Sequence, residues 1–558
     1  MKFDEMTKEE LINYINSLNE ELNGKYGLIW DKEKEPEQIV VDCDKFIPIL
    51  SEIKEKNIAN DGVDNLLIEG DNFHTLSVLN YTHKESVDMI YIDPPYNTGN
   101  QDFIYNDKFV NIDDGYKNSK WLNFMSKRLY LARNILKEDG IIAISIDDHE
   151  LAQLIMLCNK IFGESNFISC MPRKTTEHMR VNALYELQNL NDYVLLYGKN
   201  KALVDLNKNV TGEKEFSNSD EKGMYLLKPF QNSGANGTRK ARPNLYYPIY
   251  YDEKSKEFSL EKKPGMVEIL PKKVKFEDGR WLWSREKFEK DKNMLEYRNG
   301  TMYRKEYYDE NADNNKYESY KTWLDSFPNR LGASSLKELG LDGAFEYSKP
   351  PQLIEFLVNL CRKKDSVILD FFAGSGTTGQ AVLSLNKKDN GKRRFILCTN
   401  NENNICENVT YKRLKNAICG HENFEPLKGN LKYYKTDFVD NNGTRDQLYY
   451  DLTEKCIPML CVKSGTYELI EKTKEYAIYS NENRTEYSCV YFDIFGESYD
   501  KFIEKVKGIN EHKNLYIFSL SEYVNEENFD GITNYSIEAI PYKILDLYKN
   551  VVKMSKEN

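Results

Sequence analysis

Short apolar runs that end in polar or turn-forming residues recur along the chain, and they predict buried strands. Runs of this kind lie at 65–68, 89–92, 140–146, 191–197, 366–369 and 392–399. Apolar residues at helical spacing between 119 and 133 predict a helix between two of these strands. Strand, helix and strand in this order predict a doubly wound parallel sheet with its chemistry at the strand ends.

The run at 89–92 ends abruptly in Asp93, Pro94, Pro95 and Tyr96. The two prolines remove two backbone donors, fix two φ angles and prevent a helix from starting there. The rigid tip therefore carries one carboxylate, the proline carbonyl oxygens and one aromatic face. This set suits a planar amine with a delocalised lone pair, because the oxygens accept its hydrogens while the ring holds its plane. Taken alone, the motif is equally consistent with an ordinary turn.

A second motif is a glycine turn between a strand and a helix, formed by Asp370, Phe372, Gly374, Ser375, Gly376 and Thr377. Glycines let a backbone approach a ligand closely, and the first amides of the helix point towards it. The turn lacks the third glycine and the Lys-Ser/Thr of phosphate-binding loops. It therefore favours a nucleoside that carries an amino acid over a polyphosphate.

With these two motifs, the chain resembles the DNA amino-methyltransferases that use S-adenosyl-L-methionine. Their hallmarks are an Asp-Pro-Pro-Tyr catalytic tip and a Phe-x-Gly-x-Gly cofactor turn, here at 93–96 and 372–376. The catalytic motif precedes the cofactor motif by about 275 residues, which is the permuted order of the beta class. Within that class, the chain is most similar to the modification (Mod) subunits of Type III restriction-modification systems. The resemblance implies a Rossmann-like, doubly wound α/β methyltransferase fold, circularly permuted, with an inserted target-recognition domain and a small C-terminal α/β domain.

The resemblance also implies roles for individual residues. The catalytic residues would be Asp93, Pro94, Pro95 and Tyr96, which act on adenine N6 of a base flipped out of the duplex. The cofactor-binding residues would be Asp71, Asp93, Lys349, Asp370, Phe372, Gly374, Ser375, Gly376, Thr377 and Glu402. The alternative for Asp71 is a helix cap, since an Asp at a strand end often caps the following helix. Glu402 follows the glycines by about 25 to 30 residues, as a ribose-binding carboxylate does, but the run of asparagines around it departs from the family pattern.

The resemblance, together with the pattern along the chain, implies five segments. They are an N-terminal helical segment (1–55), the catalytic half of the methyltransferase domain (56–200), a target-recognition domain (201–345, with 171 as an alternative start), the cofactor-binding half (346–427) and a C-terminal association or docking domain (428–558). The first segment contains an amphipathic helix at 8–22. Residues 97–116 are expected to form a mobile loop over the active site.

The block at 171–345 combines short strands and many turns with basic and aromatic residues. It carries roughly 31 basic and 27 acidic side chains, whereas the whole chain has a net charge of -12. Basic groups reach phosphates and base edges, and aromatic rings stack on displaced bases. This composition permits DNA contact, and the block occupies the position where the beta class carries its target-recognition domain. The resemblance therefore implies that double-stranded DNA binds here, through Arg239, Lys240, Arg242 and Tyr246. The alternative for any single aromatic residue, such as Trp281, is a place in the core of this domain.

Hydropathy and cysteine usage exclude other classes. No apolar run approaches about 18 residues and the mean hydropathy is -0.67, so the sequence predicts no membrane span. The first residues contain no apolar signal core, and we expect a cytoplasmic protein. The ten cysteines are scattered without Cys-x-x-Cys spacing, which predicts reduced core thiols and no metal site.

Three other activities fit parts of the pattern. Cytosine-N4 methyltransferases usually carry Ser in place of Asp93, while RNA and protein-glutamine methyltransferases tend towards Asn-Pro-Pro-Tyr and lack the inserted block. A purely structural DNA-binding subunit would keep the block and lose one of the motifs.

The resemblance also implies partners. Type III Mod subunits act as homodimers and guide a separate helicase-nuclease subunit, Res. The chain itself has no Gly-x-x-x-x-Gly-Lys-Ser/Thr motif, so a nucleotide-hydrolysing partner would be a separate chain. The alternative is a solitary methyltransferase without a nuclease partner.

Overall fold

The computed structural model describes Trp30 and residues 37–557, apart from 44, 100–101, 107, 178–187, 235, 275, 423 and 494–497. The helix predicted at 8–22 lies outside these residues. The chain divides into two compact units. One is the insert Lys208–Tyr320, and the other is formed by the residues on either side of it.

Strands and helices alternate along the first part of the chain. They are α1 (Gln38–Asp42), β1 (Phe46–Glu52), β2 (Asp64–Glu69), α2 (Asn72–Thr82), β3 (Val87–Ile92), β4 (Ile104–Tyr105), β5 (Lys108–Phe109), α3 (Lys117–Ile135), β6 (Leu136–Ile146), α4 (Leu151–Phe162), β7 (Phe167–Lys174) and β8 (Asn191–Gly198). The insert contributes β9 (Asn209–Glu213), β10 (Asn218–Asp220), β11 (Gly223–Pro229), β12 (Ile249–Tyr251), β13 (Phe258–Ser259), β14 (Val267–Ile269), α5 (Arg285–Asp291), β15 (Leu295–Arg298), β16 (Thr301–Tyr307) and β17 (Asn315–Glu318).

The chain after the insert returns to alternating elements. They are α6 (Arg330–Glu338), α7 (Pro351–Asn359), β18 (Val367–Asp370), α8 (Thr377–Asp389), β19 (Arg394–Thr399), α9 (Lys412–Cys419), β20 (Asn430–Asp440), α10 (Arg445–Lys455), α11 (Ile457–Ser464), β21 (Glu468–Lys472), β22 (Tyr476–Ser480), β23 (Glu486–Tyr491), α12 (Tyr499–Lys507), β24 (His512–Ser519), β25 (Tyr535–Pro541) and α13 (Tyr542–Glu557).

The large sheet has nine strands in the order β1-β20-β2-β19-β18-β3-β6-β8-β7. The six strands from β20 to β6 run parallel, while β8 runs antiparallel to both of its neighbours and β1 is antiparallel to β20. Every residue of β3 and β18 is buried, as expected for central parallel strands. These two strands are neighbours, so the catalytic motif lies beside the cofactor turn. The predicted doubly wound methyltransferase fold is confirmed.

The insert is built from small antiparallel sheets. They have the orders β10-β11-β16-β15, β13-β12-β14 and β17-β9. Its core includes Phe230 and Trp281, whose rings stack with centroids 5.3 Å apart. The Trp281 indole also donates to the Tyr247 carbonyl oxygen at 2.8 Å. For Trp281 the core alternative therefore holds.

The structure differs from the predicted segments in several places. Strand β1 lies within the segment predicted to be helical, and β20 lies within the predicted C-terminal domain although it pairs with β1 and β2 of the large sheet. The compact insert is also shorter than the predicted block 201–345. The remaining C-terminal strands form a separate five-stranded sheet, β21-β22-β23-β24-β25.

The stretch expected to be a mobile loop contains the hairpin β4–β5. Phe103 and Tyr105 are buried there, and the Asn123 amide donates to the Tyr105 hydroxyl at 2.6 Å. Phe103 and Tyr105 therefore anchor the first strand of this hairpin, whereas Phe109 of the second strand is exposed.

Two general properties concern the described residues alone. None of their helices combines the length and the apolar character needed to cross a bilayer. No three His, Cys, Asp or Glu side chains among them come together as metal ligands. Seven of the ten cysteines are buried, and Cys419 is exposed.

Candidate active site

The predicted site residues converge at one edge of the large sheet. Because β2, β19, β18, β3 and β6 run parallel, their carboxyl ends lie at the same edge. Asp71, Glu402, Asp370 and Asp93 each lie at or just beyond the end of one of these strands. This edge is where open α/β sheets bind their ligands.

Four contacts hold the predicted catalytic tip. The Tyr96 hydroxyl donates to Asp93 Oδ1 at 2.9 Å. Lys349 Nζ lies 2.8 and 2.7 Å from the two carboxylate oxygens of Asp93, and 5.0 Å from the centre of the Tyr96 ring. The indole of the buried Trp121 donates to the Pro95 carbonyl oxygen at 2.7 Å. The carboxylate, ring and proline backbone are thus fixed relative to one another.

In the structure the Lys349 ammonium lies on the Asp93 carboxylate, and its predicted cofactor contact stays a prediction. Lys349 lies just before Pro350 and Pro351, and residues before proline are held in an extended conformation. Helix α7 starts at Pro351, as the missing N–H of proline allows at a first helical position. Lys349 therefore joins the segment after the insert to the tip before it.

The cofactor turn begins with Asp370, the last residue of β18. Its carboxylate accepts hydrogen bonds from the Phe372 amide at 3.0 Å and from the Thr378 hydroxyl at 2.5 Å. Burial raises the pKa of Asp370 to about 7, although both hydrogen bonds oppose the rise and the nearby charge of Asp93 adds to it. Asp370 therefore stabilises the turn by accepting hydrogen bonds from two uncharged groups of the turn.

Two glycines of the turn adopt left-handed backbone conformations. The φ angles are 47° at Gly374 and 78° at Gly376, where glycine is strongly favoured. A Cβ on Gly376 would also lie 3.1 Å from the Thr410 methyl carbon, and the Thr410 hydroxyl donates to the Gly374 carbonyl oxygen at 2.5 Å. The prediction assigned these glycines to close ligand approach. The structure adds a local reason for glycine at position 376, because a side chain there would contact Thr410.

Two acids of uncertain role follow β2 and β19, the two strands on one side of β18. Asp71 caps α2 by accepting the Phe73 amide at 2.7 Å, and the same oxygen lies 3.6 Å from the buried guanidinium of Arg128. Glu402 is exposed at the start of a short 3-10 turn after β19. The predicted cap at Asp71 is therefore present, and its predicted cofactor contact stays a prediction, as does that of Glu402.

The predicted DNA-contacting residues lie together in the insert. The Arg239 guanidinium lies 4.3 Å from the centre of the Tyr246 ring and 3.5 Å from Asp278. Lys240 and Arg242 are exposed on the same segment. These groups are accessible, and their contact with DNA stays a prediction.

Two buried polar groups near the site were missed by the sequence analysis. Arg413 lies on α9, four residues from the buried Val409 and Ala417, so a basic residue at an apolar helical position was the available signal. Glu150 is buried after β6 and accepts the Asn97 amide at 2.6 Å. Burial raises the pKa of Glu150 to about 7. No feature of the sequence indicated that Glu150 and Asn97 form a buried pair.

The donors at the turn fit S-adenosyl-L-methionine. No side chain caps the first turn of α8, so its amide groups and the neighbouring hydroxyls offer donors for a carboxylate. Asp370 and Asp93 place acidic groups on the adjoining strand ends. The donors at the turn suit the amino-acid carboxylate of the cofactor, and the acidic strand ends suit its sulfonium.

The two motifs occur in permuted order along the chain and lie on neighbouring parallel strands of one sheet. This arrangement defines an amino-methyltransferase. Comparison with known proteins gives the same class. A family described as DNA methylase matches residues 87–412. The Type III restriction-modification enzyme EcoPI Mod subunit of Escherichia phage P1 is 31% identical over 442 residues, covering 71% of this chain and 67% of that protein. The Type II methyltransferase M.KpnI of Klebsiella pneumoniae is 34% identical over 361 residues, covering 63% and 84%.

The chain therefore belongs to the DNA methylase family that includes these enzymes. It is a DNA methyltransferase that depends on S-adenosyl-L-methionine.

Proposed function

We propose that this protein methylates adenine N6 at a specific site in double-stranded DNA and serves as the modification subunit of a Type III restriction-modification system. The EcoPI and StyLTI relatives are named as Mod subunits of that type. The observation that carries the chemical part is the Asp93 carboxylate, fixed by Tyr96 and Lys349 beside the cofactor turn.

The tip would act on an amine in three ways. Asp93 and the Pro94 carbonyl accept the two amine hydrogens, which directs the nitrogen lone pair out of the base plane. The Tyr96 ring stacks on the flipped base and fixes that plane. When bound, S-adenosyl-L-methionine supplies the methyl group from its sulfonium centre. The nitrogen gains the methyl group and loses one proton to Asp93 and then to solvent, so no covalent bond to the protein is needed.

Lys349 gives this scheme an ordered first step. Both oxygens of Asp93 contact the Lys349 ammonium in the structure, and we expect the incoming amine to replace at least one of these contacts. The Tyr96 hydroxyl also binds Asp93 Oδ1, which keeps the carboxylate oriented during the exchange. The base and Lys349 would therefore compete for one acceptor.

Target recognition is assigned to the predicted block 201–345, whose compact part is Lys208–Tyr320. The cation and aromatic pair Arg239 and Tyr246 supports this assignment, since such pairs serve both phosphate binding and base stacking. Exchange of the block for that of a related enzyme should change the methylated sequence. A folded chimaera that still methylates the original sequence would contradict the assignment.

Nucleoside analysis tests the chemical proposal. Purified protein, duplex DNA and labelled cofactor should yield labelled N6-methyladenine after digestion to nucleosides, and single-molecule sequencing of the product should give one recognition sequence. Labelled N4-methylcytosine would establish the alternative acceptor. Absence of label in duplex DNA, with label in RNA or protein, would overturn the proposal.

The partner assignments, a homodimer and a Res-like helicase-nuclease, need separate tests. Light scattering at micromolar concentration, with and without DNA, should give twice the mass of the chain. A monomer under both conditions would exclude the dimer. Co-purification should recover an ATP-dependent helicase-nuclease subunit. Its absence would leave a solitary methyltransferase.

A further inference from the structure

Arg413 is a buried cation directly behind the cofactor turn. Its side chain is fully buried, and Nη1 donates to the hydroxyls of Ser348, Ser375 and Thr377 at 3.0, 2.9 and 2.7 Å. The three hydroxyl oxygens also lie 3.1 to 3.2 Å from one another. Its other nitrogens contact Gln380 at 2.8 Å and Ser335 at 3.2 Å. The guanidinium is thus satisfied by neutral groups.

The other large buried arginines are arranged differently. The described residues contain four arginines among their largest fully buried side chains, and three have a carboxylate partner. Their contacts are Arg128 to Glu37 at 2.8 Å, Arg173 to Asp192 at 2.8 Å and Arg393 to Asp389 at 2.8 Å. For Arg413, the described residues provide no charge that offsets burial, and burial lowers its pKa to about 9.

An uncompensated buried charge is costly and is usually paired with an opposite charge. Neutral hydroxyls satisfy the hydrogen-bonding groups of Arg413, but they do not cancel its charge. Two of those hydroxyls belong to the turn itself, and the third precedes Lys349. The buried guanidinium of Arg413 therefore gives the turn a positive electrostatic potential. This charge is fixed in place, and solvent screens it weakly.

The cofactor carries charges that respond to such a potential. Its amino-acid end has a carboxylate and an ammonium group, and its sulfonium is a second cation. A cation behind the turn attracts the carboxylate and repels the sulfonium. The neighbouring strand end carries the ion pair of Asp93 with Lys349, which adds no net charge of either sign. The favourable orientation places the carboxylate against the turn and the sulfonium away from Arg413, on the side of the neighbouring strand end.

We infer that Arg413 is a positioning residue that draws the cofactor carboxylate to the turn and thereby directs the sulfonium towards Asp93. This inference rests on the proposed use of the turn as the cofactor site. Arg413 acts through the hydroxyls of Ser348, Ser375 and Thr377 and through its charge, so it is not itself a catalytic residue.

Calorimetric titration without DNA tests the inference, since no turnover occurs. The two ligands are S-adenosyl-L-methionine and decarboxylated S-adenosylmethionine, which lacks only the carboxylate. Arg413→Gln should weaken binding of the complete cofactor by about tenfold or more. The same change should leave binding of the decarboxylated form within about twofold, or strengthen it, because a repulsive charge has been removed.

Two further variants separate charge from folding. Arg393→Gln removes a buried arginine that has its own carboxylate partner, and it should leave the preference between the two ligands unchanged. Arg413→Lys keeps a cation and loses several hydrogen bonds, so it should retain most of the preference even if Arg413→Gln fails to fold. Loss of the preference in Arg413→Lys would overturn the inference.

The result also distinguishes the inference from the proposed function. If the unchanged protein binds neither ligand, the cofactor site itself is misassigned. If the unchanged protein binds the cofactor but Arg413→Gln weakens both ligands equally, Arg413 only supports the fold and the inference is wrong.

Discussion

Two aspartates end neighbouring parallel strands of the same sheet, and their surroundings are opposite. Asp93 follows β3 and is paired with the Lys349 ammonium. Asp370 ends β18, is buried, and is bound only by neutral donors, with its pKa raised to about 7. Strand position alone therefore does not determine what an acid at this edge can do. The partners of each carboxylate determine it, a lysine from a distant part of the chain for Asp93 and two groups of its own turn for Asp370.

The difference separates a chemical role from a structural one. The partner of Asp93 is a flexible lysine side chain, which a substrate amine can replace. The partners of Asp370 are an amide and a hydroxyl of its own turn, and their loss would disturb the turn. We therefore expect substitutions at Asp93 to affect the reaction, and substitutions at Asp370 to affect stability and its dependence on pH.

The largest expected effect is that of Asp93→Ala. Loss of the acceptor should lower the rate of methyl transfer by about a thousandfold, since the lone pair is no longer directed. Cofactor affinity should remain within about twofold, because the turn on β18 is untouched. Single-turnover kinetics and calorimetry measure the two quantities. A rate above a few per cent of the original would remove Asp93 from the central role.

The second effect tests the turn that follows Asp370. Gly376→Val forces a side chain into a left-handed position and against Thr410. Cofactor affinity should fall by about a hundredfold. Gly265→Val is a matched control, because Gly265 has a φ of 88° and open space around it. An unchanged affinity in Gly376→Val would place the cofactor elsewhere.

The third effect concerns the raised pKa of Asp370. The pKa of the Asp370 carboxyl group is raised from its ordinary 3.8 to about 7 in the fold, so the free energy of unfolding falls as pH rises between these values. Asp370→Asn keeps a neutral group of the same shape. It should raise the free energy of unfolding by on the order of 3 kcal/mol at about pH 8 and change it little at about pH 4.

Denaturant unfolding at the two pH values checks this. Equal effects at both would mean that the carboxyl group is charged in the fold, and the contrast with Asp93 would then disappear.

The smallest effect comes from Glu150, a third acid near this edge. Its pKa is raised from 4.5 to about 7 by burial, so the sign is the same as for Asp370 and stability falls as pH rises between those values. Glu150→Gln should stabilise the fold by on the order of 2 kcal/mol at about pH 8. The rate of methyl transfer should stay within about threefold, because Glu150 contacts Asn97 rather than Asp93. A large loss of rate would give Glu150 a part in the reaction.

The sequence predicted the strand ends well, because each motif is local. The apolar run before Asp93 and the glycines after Asp370 each specify a strand followed by a rigid turn. The permuted order followed from the resemblance, and the pairing of β3 with β18 agrees with it.

Contacts between distant segments could not be predicted in this way. The ion pair of Lys349 with Asp93 joins residues 256 positions apart, and no periodicity indicates it. Strand β20 was assigned to the C-terminal domain because its alternating pattern does not indicate which strand it joins. Arginine is usually an exposed residue type, and only the helical spacing of Arg413 indicates that it lies among apolar neighbours.

The tether between Lys349 and Asp93 has a consequence for small cellular amines. Lys349 is covalently part of the chain, so its ammonium competes at an effective concentration on the order of millimolar or more. Polyamines and other free cations meet a carboxylate that already has its counter-ion. A base flipped out of bound DNA is also presented at high local concentration, and we expect it to displace Lys349 from the Asp93 carboxylate. The ion pair thus makes the reactive carboxylate responsive to a bound polymer and insensitive to dissolved amines.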